Sequence, residues 1–255
     1  MKITVLGCAT STGVPIVGCK CDVCLSDNPK NKRTRSSVVI HVKHKNILID
    51  TSTDLRKQAL KNNISSIDAV LYTHSHADHT HGIDDLRVFN FINKTEITCF
   101  ANEQTLNNLK KNFGYIFNLV PSTASKPRLN FNVINGKFKY EGIEIVPVDI
   151  LHSHSTILGY KVGSFAYLTD CSGIPTHSME ELMNLDVLII DALRYRPHEA
   201  HYNVEQAVEI ANELNPKMTY LTHMGHELEY EKLNKELPDN IEPAYDGLVI
   251  EIKDP

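Results

Sequence analysis

The chain has 255 residues, of which 42% are hydrophobic, and a formal net charge of −5. This length and composition allow one large α/β domain with a sizeable core. The negative charge and the lack of a basic run argue against nucleic-acid binding, because phosphate backbones are held by clustered Lys and Arg. A nuclease is thereby disfavoured, although it is not excluded.

The sequence also predicts where the protein is found. It has no apolar run of about 20 residues, so we expect no membrane-spanning helix. The N-terminus enters a strand-like pattern directly and lacks the features of a secretory signal, so we expect a cytoplasmic protein. The oligomeric state stays open, and a homodimer is one of the alternatives.

The first predicted strand, residues 2–7, is followed by a Gly- and Pro-containing loop that ends in a cysteine cluster. The segment Gly18-Cys-Lys-Cys-Asp-Val-Cys contains Cys19, Cys21 and Cys24, whereas the other cysteines are isolated. In a cytosolic chain such a cluster favours metal binding over disulfides. A histidine would complete a structural Cys3His zinc site, which stabilises the fold. A redox pair or unused thiols are the alternatives.

Residues 37–42 and 46–50 predict a β-hairpin that turns at His44-Lys45. The second strand ends at Asp50, and a buried carboxylate is unfavourable without a partner. Orienting a metal-bound histidine would provide that partner.

The most informative segment is Tyr72-Thr-His-Ser-His-Ala-Asp-His-Thr-His81, which follows a predicted strand at residues 69–72. His74, His76, Asp78 and His79 are ligands suited to zinc, manganese or iron. Four ligands in one loop exceed what a single tetrahedral site usually takes from one loop, so we predict two neighbouring metal ions. An exposed His-rich turn is the alternative.

The middle of the chain predicts a helix starting at Asp84-Asp-Leu-Arg87, whose acids suit the positive end of the helix dipole. A strand at residues 96–100 and a helix at residues 103–111 follow. The looser pattern of residues 114–129 predicts a loop that either overhangs a site or is a plain surface excursion.

The second half repeats the arrangement, because predicted strands again end near histidine or aspartate. Ligands at strand ends on one rim are how open α/β architectures build sites. We therefore predict that the two halves of the chain share one metal site. The strand-end residues are His152 or His154, Asp170, Asp191 and His223, with His226 three residues later.

These motifs resemble those of the metallo-β-lactamase fold hydrolases. The motifs include Thr-His-x-His-x-Asp-His-x-x-Gly-x-Asp-Asp-Leu-Arg, Phe-Ala-Tyr-Leu-Thr-Asp-Cys-Ser and Leu-Thr-His-Met-Gly-His. Together with the cysteine cluster they are similar to the PhnP-like branch, which contains the phosphoribosyl cyclic phosphate phosphodiesterase. The resemblance extends from Gly7 to Gly247. It implies a four-layer αββα sandwich in a single domain over residues 1–255, with a Cys-rich zinc loop around residues 18–24.

The resemblance also implies roles for individual residues. One divalent ion, zinc or manganese, would be held by His74, His76 and a mid-chain histidine, for which His152 is favoured over His154. The second ion would be held by Asp78, His79 and His223, with Asp170 bridging the two. His226 would complete the structural zinc site. His201 is the implied catalytic histidine, with His198 as its rival, and Asp78 is the other implied catalytic residue. His81 and His177 are expected either at the surface or behind the metal ligands.

The implied activity is hydrolysis of a small phosphodiester, cyclic ones included, by a hydroxide that bridges the two ions. His201 would act as a general acid for the leaving alkoxide. The alternatives are a nuclease of the transfer-RNA-processing type, a thiolester or lactam hydrolase, and a zinc-stabilised binding module without catalytic activity.

Overall fold

The computed structural model describes residues 1–118 and 125–254, and these residues form two facing β-sheets. The first sheet has seven strands in the order β14-β1-β2-β3-β4-β5-β6. Its strands are β1 (Lys2–Gly7), β2 (Ser37–Val42), β3 (Lys45–Ile49), β4 (Ala69–Leu71), β5 (Ile97–Ala101), β6 (Leu129–Val133) and β14 (Val249–Glu251).

The second sheet also has seven strands, in the order β13-β12-β11-β10-β9-β8-β7. Pairing is antiparallel from β7 to β10 and parallel from β10 to β13. Its strands are β7 (Phe138–Tyr140), β8 (Ile143–His152), β9 (Ser155–Val162), β10 (Phe165–Leu168), β11 (Val187–Asp191), β12 (Met218–Thr222) and β13 (Ile241–Pro243).

Helices cover the outer faces of the sheets. The longest, α8, begins after a capping box in which Asn203 and Gln206 bond each other's backbone N–H groups. Such a box satisfies amides that a helix start leaves unpaired. The helices are α1 (Asp22–Leu25), α2 (Leu55–Lys61), α3 (Ala77–Thr80), α4 (Leu86–Asn93), α5 (Glu103–Asn112), α6 (Gly114–Phe117), α7 (Thr176–Glu181), α8 (Val204–Leu214) and α9 (Tyr230–Glu236).

Alternation along the strands explains the layers, because successive side chains of a strand point to opposite faces. In β1, Ile3 and Val5 belong to the core between the sheets, whereas Leu6 packs with residues of the outer helices such as Leu55 and Leu86. The result is the predicted αββα sandwich. The loops at one end of both sheets carry the histidines and aspartates discussed below.

Several predicted element bounds differ from the structure. The hairpin turns at Lys43 and His44, both with positive φ, so β3 starts at Lys45. Residues Ile83–Asp85 form a 3-10 turn, and α4 begins only at Leu86. Part of the predicted loose segment, residues 114–117, is helical, and its residues 119–124 lie outside the described part of the chain.

Strand β8 extends further than predicted, through His152, and then reverses at Ser153 with φ 53°. The reversal separates the directions of the neighbouring histidines. His152 and His154 therefore point in different directions.

Candidate metal centre

Two groups of donor atoms meet at the rim between the sheets; the second is buried throughout, whereas in the first His76 is exposed and His152 half-buried. His74, His76, His152 and Asp170 form one group, and within it the ligand atoms all lie within 4.8 Å of one another. Asp78, His79, His223 and the same Asp170 form the second group under the same limit. The loop after β4, the end of β8, the end of β10 and the end of β12 supply these residues.

Asp170 belongs to both groups because its two oxygens face different histidines. Its Oδ2 lies 3.9 Å from His74 Nε2, whereas its Oδ1 lies 3.1 Å from His79 Nε2 and 3.3 Å from His223 Nε2. Thr169 Oγ1 donates to Oδ1 at 2.8 Å. A carboxylate in this arrangement can bridge two cations.

The donor spacing fits a metal ion. Asp78 Oδ2 lies 3.2 Å from His79 Nε2 and 3.7 Å from His223 Nε2. Ligands held about 2.1 Å from one ion in a tetrahedron are about 3.4 Å apart. Among the described residues, Asp78 Oδ2 and the Nε2 atoms of His74, His79 and His223 are buried without a hydrogen-bond partner. Because buried polar atoms are nearly always paired, cations held by the two donor groups would account for all four.

Hydrogen bonds behind the histidines orient them. Asp50 Oδ2 accepts from His79 Nδ1 at 2.7 Å, and Asp50 also accepts from the backbone N–H of Thr73 at 2.8 Å. His152 Nδ1 donates to the backbone oxygen of Ala200 at 2.9 Å. A metal-binding imidazole is typically fixed by such a bond to its other nitrogen, so the predicted role of Asp50 matches its contacts.

The electrostatics favour the metal-binding protonation states of Asp170 and His74. Burial alone would raise the pKa of Asp170, but the neighbouring His223 and His79 hold that pKa well below its ordinary value. Burial also lowers the pKa of His74 well below its ordinary value. An ionised carboxylate and a neutral imidazole are the forms that bind metal ions.

A third arrangement lies beside the two groups. His201 Nδ1 donates to Asp191 Oδ2 at 2.7 Å, and the backbone N–H of Cys171 donates to the same oxygen at 2.8 Å. The His201 ring lies 4.9 Å from that of His152 and 4.8 Å from that of His223, measured between centroids. The sequence predicts Asp191 as a strand-end acid but assigns it no role in the site. Its position at the end of β11 was the available signal.

The remaining rim histidines lie outside the two groups. His154 has a largely exposed side chain 3.2 Å from Glu199, and His177 is exposed beside Asp149 at 3.5 Å. His198 is exposed, with its ring 5.1 Å from that of His201. Of the two mid-chain candidates, only His152 therefore joins the donor groups of the described residues.

The cysteine cluster forms a separate site around His226. The Sγ atoms of Cys19, Cys21 and Cys24 lie 3.3, 3.4 and 3.7 Å from His226 Nδ1. Sulfur at about 2.3 Å and nitrogen at about 2.1 Å from a tetrahedral zinc ion are about 3.6 Å apart. A hydrogen bond from the Cys24 backbone lowers the pKa of Cys21 to about 7, which favours the thiolate that binds metal.

A small cavity of about 80 Å³ opens beside the first donor group. Apart from the metal-group histidines and Ile157, its lining is uncharged and polar. These polar lining residues are Ser75, Asn102, Gln104, Thr105, Ser155 and Thr156.

Among the described residues, the helices are too short or too polar to cross a membrane.

Comparison with known proteins agrees with this geometry. The family model described as beta-lactamase superfamily domain matches residues 45–224. A solved structure described as a new diphosphatase from the PhnP family is 42% identical, with a TM-score of 0.92, and the alignment covers 99% of this chain and 98% of that one. Zinc-bound PqqB from Methylobacterium extorquens is 19% identical, with a TM-score of 0.80 and coverage of 99% and 100%.

A curated relative from Porphyromonas gingivalis, named octanoyltransferase, is 38% identical over 97% of this chain. The chain spans only 51% of that relative's length. The family match covers more than half of the present chain, and the fold and donor groups agree with it. The chain therefore belongs to the metallo-β-lactamase superfamily and, within it, to the PhnP-like branch.

Proposed function

We propose that the protein is a binuclear phosphodiesterase that acts on small phosphodiesters, cyclic ones included. The observation that carries the proposal is the position of Asp170, whose two oxygens face two separate donor groups. His74, His76 and His152 would hold one zinc or manganese ion. Asp78, His79 and His223 would hold the other. The likeness to a PhnP-family diphosphatase supports chemistry at phosphorus.

The bound cations would supply charge stabilisation for the phosphoryl oxygens and a water of lowered pKa. The protein's own contribution is to hold these ions at a fixed spacing and to move a proton. His201 is held at Nδ1 by Asp191, so its Nε2 is the atom that can donate a proton to the leaving alkoxide. Such general-acid help is worth about a hundredfold or more for a basic leaving group.

The cysteine cluster has a different role in this proposal. Cys19, Cys21, Cys24 and His226 would hold one structural zinc ion, because four protein ligands leave no position for substrate. With all sites loaded, the protein would thus hold about three ions per chain.

The size and polarity of the cavity favour a small substrate. Its uncharged polar side chains suit hydroxyl groups, such as those of a sugar, on a compact ester. A polynucleotide would require a basic surface, and the net charge of −5 does not favour one. We therefore rank a transfer-RNA-processing activity below the small-molecule one.

A second candidate is a thiolester hydrolase, which the name of the Porphyromonas gingivalis relative favours. An octanoyl chain would require an apolar groove at the metal centre. The polar lining of the adjoining cavity argues against this candidate.

One assay series tests these candidates. The metal-loaded protein is given bis-p-nitrophenyl phosphate, a cyclic sugar phosphodiester, an octanoyl thiolester, a lactam and a precursor transfer RNA, each with a chelator-treated control. We expect metal-dependent hydrolysis of the two small phosphodiesters. Turnover confined to the thiolester, lactam or RNA would overturn the proposal.

A further inference from the structure

We propose that Arg33 is a positioning residue that holds the two halves of the cysteine–histidine site together, an inference that rests on the structural zinc of the proposed function. Arg33 is only 2% exposed. Its backbone pairs with Val14, with N to O distances of 2.9 and 2.7 Å, just before the cysteine loop. Its side chain reaches the segment that carries His226.

The guanidinium bonds both sides of His226. Nη1 donates to the backbone oxygen of Gly225 at 3.3 Å, and Nη2 donates to that of Leu228 at 2.5 Å. The remaining bonds go to Lys30 O from Nε and to Asn31 Oδ1 from Nη2. A planar fork of this kind fixes geometry in a way that a single ammonium cannot.

Asn31 extends the same network. This fully buried side chain donates to Ser26 Oγ at 3.1 Å and to Glu229 Oε1 at 2.6 Å. Its Oδ1 also accepts from the backbone N–H of Tyr230 at 2.9 Å. Fully satisfied buried networks make a structure rigid, so residues 26–33 are joined to residues 225–230 by bonds that do not involve a metal.

The opposite side of the His226 segment is also held. Gly225 N donates to Leu193 O at 2.8 Å, and a Cβ at Gly225 would lie only 3.0 Å from that oxygen. The segment is therefore wedged between Leu193 and Arg33. On the cysteine side, the backbone oxygen of Cys24 accepts from Lys32 Nζ at 3.1 Å. The backbone beside Cys24 and beside His226 is thus held by hydrogen bonds that do not involve a metal.

The test is Arg33→Met. This substitution keeps a long side chain but removes every hydrogen bond that the guanidinium makes. Arg35→Met is the matched control, because Arg35 lies two residues away and bonds Asp54 and Ser11 O instead. The protein is loaded with Co²⁺, and the thiolate-to-cobalt absorption band is titrated against a chelator. Among the described residues, the histidine–aspartate groups contain no cysteine, so the band does not report on them.

We expect Arg33→Met to bind Co²⁺ at this site about 10- to 100-fold more weakly, as found when residues behind metal ligands are removed. Arg35→Met should bind as the wild type does. A folded Arg33→Met protein with wild-type affinity, or an equal loss in Arg35→Met, would overturn the inference.

If Arg33→Met does not fold, Arg33→Lys retains the charge but not the fork. We expect it to weaken Co²⁺ binding about tenfold, and unchanged binding would overturn the inference. Wild-type protein with the thiolate band but without phosphodiesterase activity would disprove only the proposed function. Wild-type protein without the band would disprove the role of Arg33.

Discussion

The two halves of the molecule contribute to the metal centre in different ways. The first half supplies four donor residues from one short loop, His74 to His79, whereas the second half supplies His152, Asp170 and His223 from three separate strand ends. The local loop sets the spacing of its own ligands. The second half depends on strand pairing to bring distant residues together, and it provides the one ligand that both groups share.

The backbone reflects this difference. Asp170 and His223 follow the ends of β10 and β12 with φ of 55° and 57°. Such left-handed conformations are uncommon for residues other than glycine, and they cluster at functional sites. They turn the chain sharply, which leaves the side chain at the rim. Asp50, at the end of β3, has φ 62° for the same reason.

The strongest test of this comparison is Asp170→Asn, which removes a charge from the shared ligand. We expect kcat/KM for bis-p-nitrophenyl phosphate to fall about a thousandfold or more, equivalent to about 4 kcal/mol, because the neutral amide offers one oxygen in place of the two of the shared carboxylate. Metal analysis should show fewer ions per chain. Asp149→Asn, an exposed acid beside His177, is the control and should retain activity.

The next test concerns His201, which the second half adds beside the ligands. His201→Ala should reduce kcat about a hundredfold for an alkyl phosphodiester, because the leaving alkoxide loses its proton donor. The loss should be much smaller with p-nitrophenolate, a weakly basic leaving group. Equal losses with both substrates would contradict the general-acid role, and a lower metal content would indicate a structural role instead.

A smaller effect is expected for Asp50→Asn, behind the ligand loop of the first half. The amide preserves the size of the side chain but weakens the bond that orients His79, so metal affinity should fall roughly tenfold. A chelator competition experiment measures this directly. Asp68→Asn is the control, since Asp68 lies just before β4 and accepts from Asn46 N; an equal loss there would argue against a specific role for Asp50.

The smallest effect is expected for His154→Ala. Its side chain is 92% exposed, and surface substitutions usually change free energies by no more than about 0.5 kcal/mol, a factor of about two. Kinetics and metal content should therefore match the wild type, whereas His152→Ala should lose metal. The reverse result would mean that the end of β8 is placed differently from the structure described above.

Some of the centre could be predicted from the sequence alone. The loop from His74 to His79 and the cluster from Cys19 to Cys24 are recognisable because their ligands are neighbours in the chain, so local spacing already limits the chemistry. The fold class followed from the alternation of strands and helices and from the family motifs. The histidines and aspartates that recur at predicted strand ends indicated that the two halves of the chain share one metal site.

Only the tertiary structure decided the remaining assignments. The motif spacing favoured His152 but left His154 as an alternative, whereas the reversal at Ser153 directs His152 into the donor group and His154 into solvent. Asp191, at the end of β11, accepts from His201 in the loop that follows this strand, and Arg33 reaches Gly225 across 192 positions of the chain. Residue type and spacing determine which ligands are available. Sheet register and buried hydrogen bonds determine which of them meet, because those contacts join parts of the chain that are far apart in sequence.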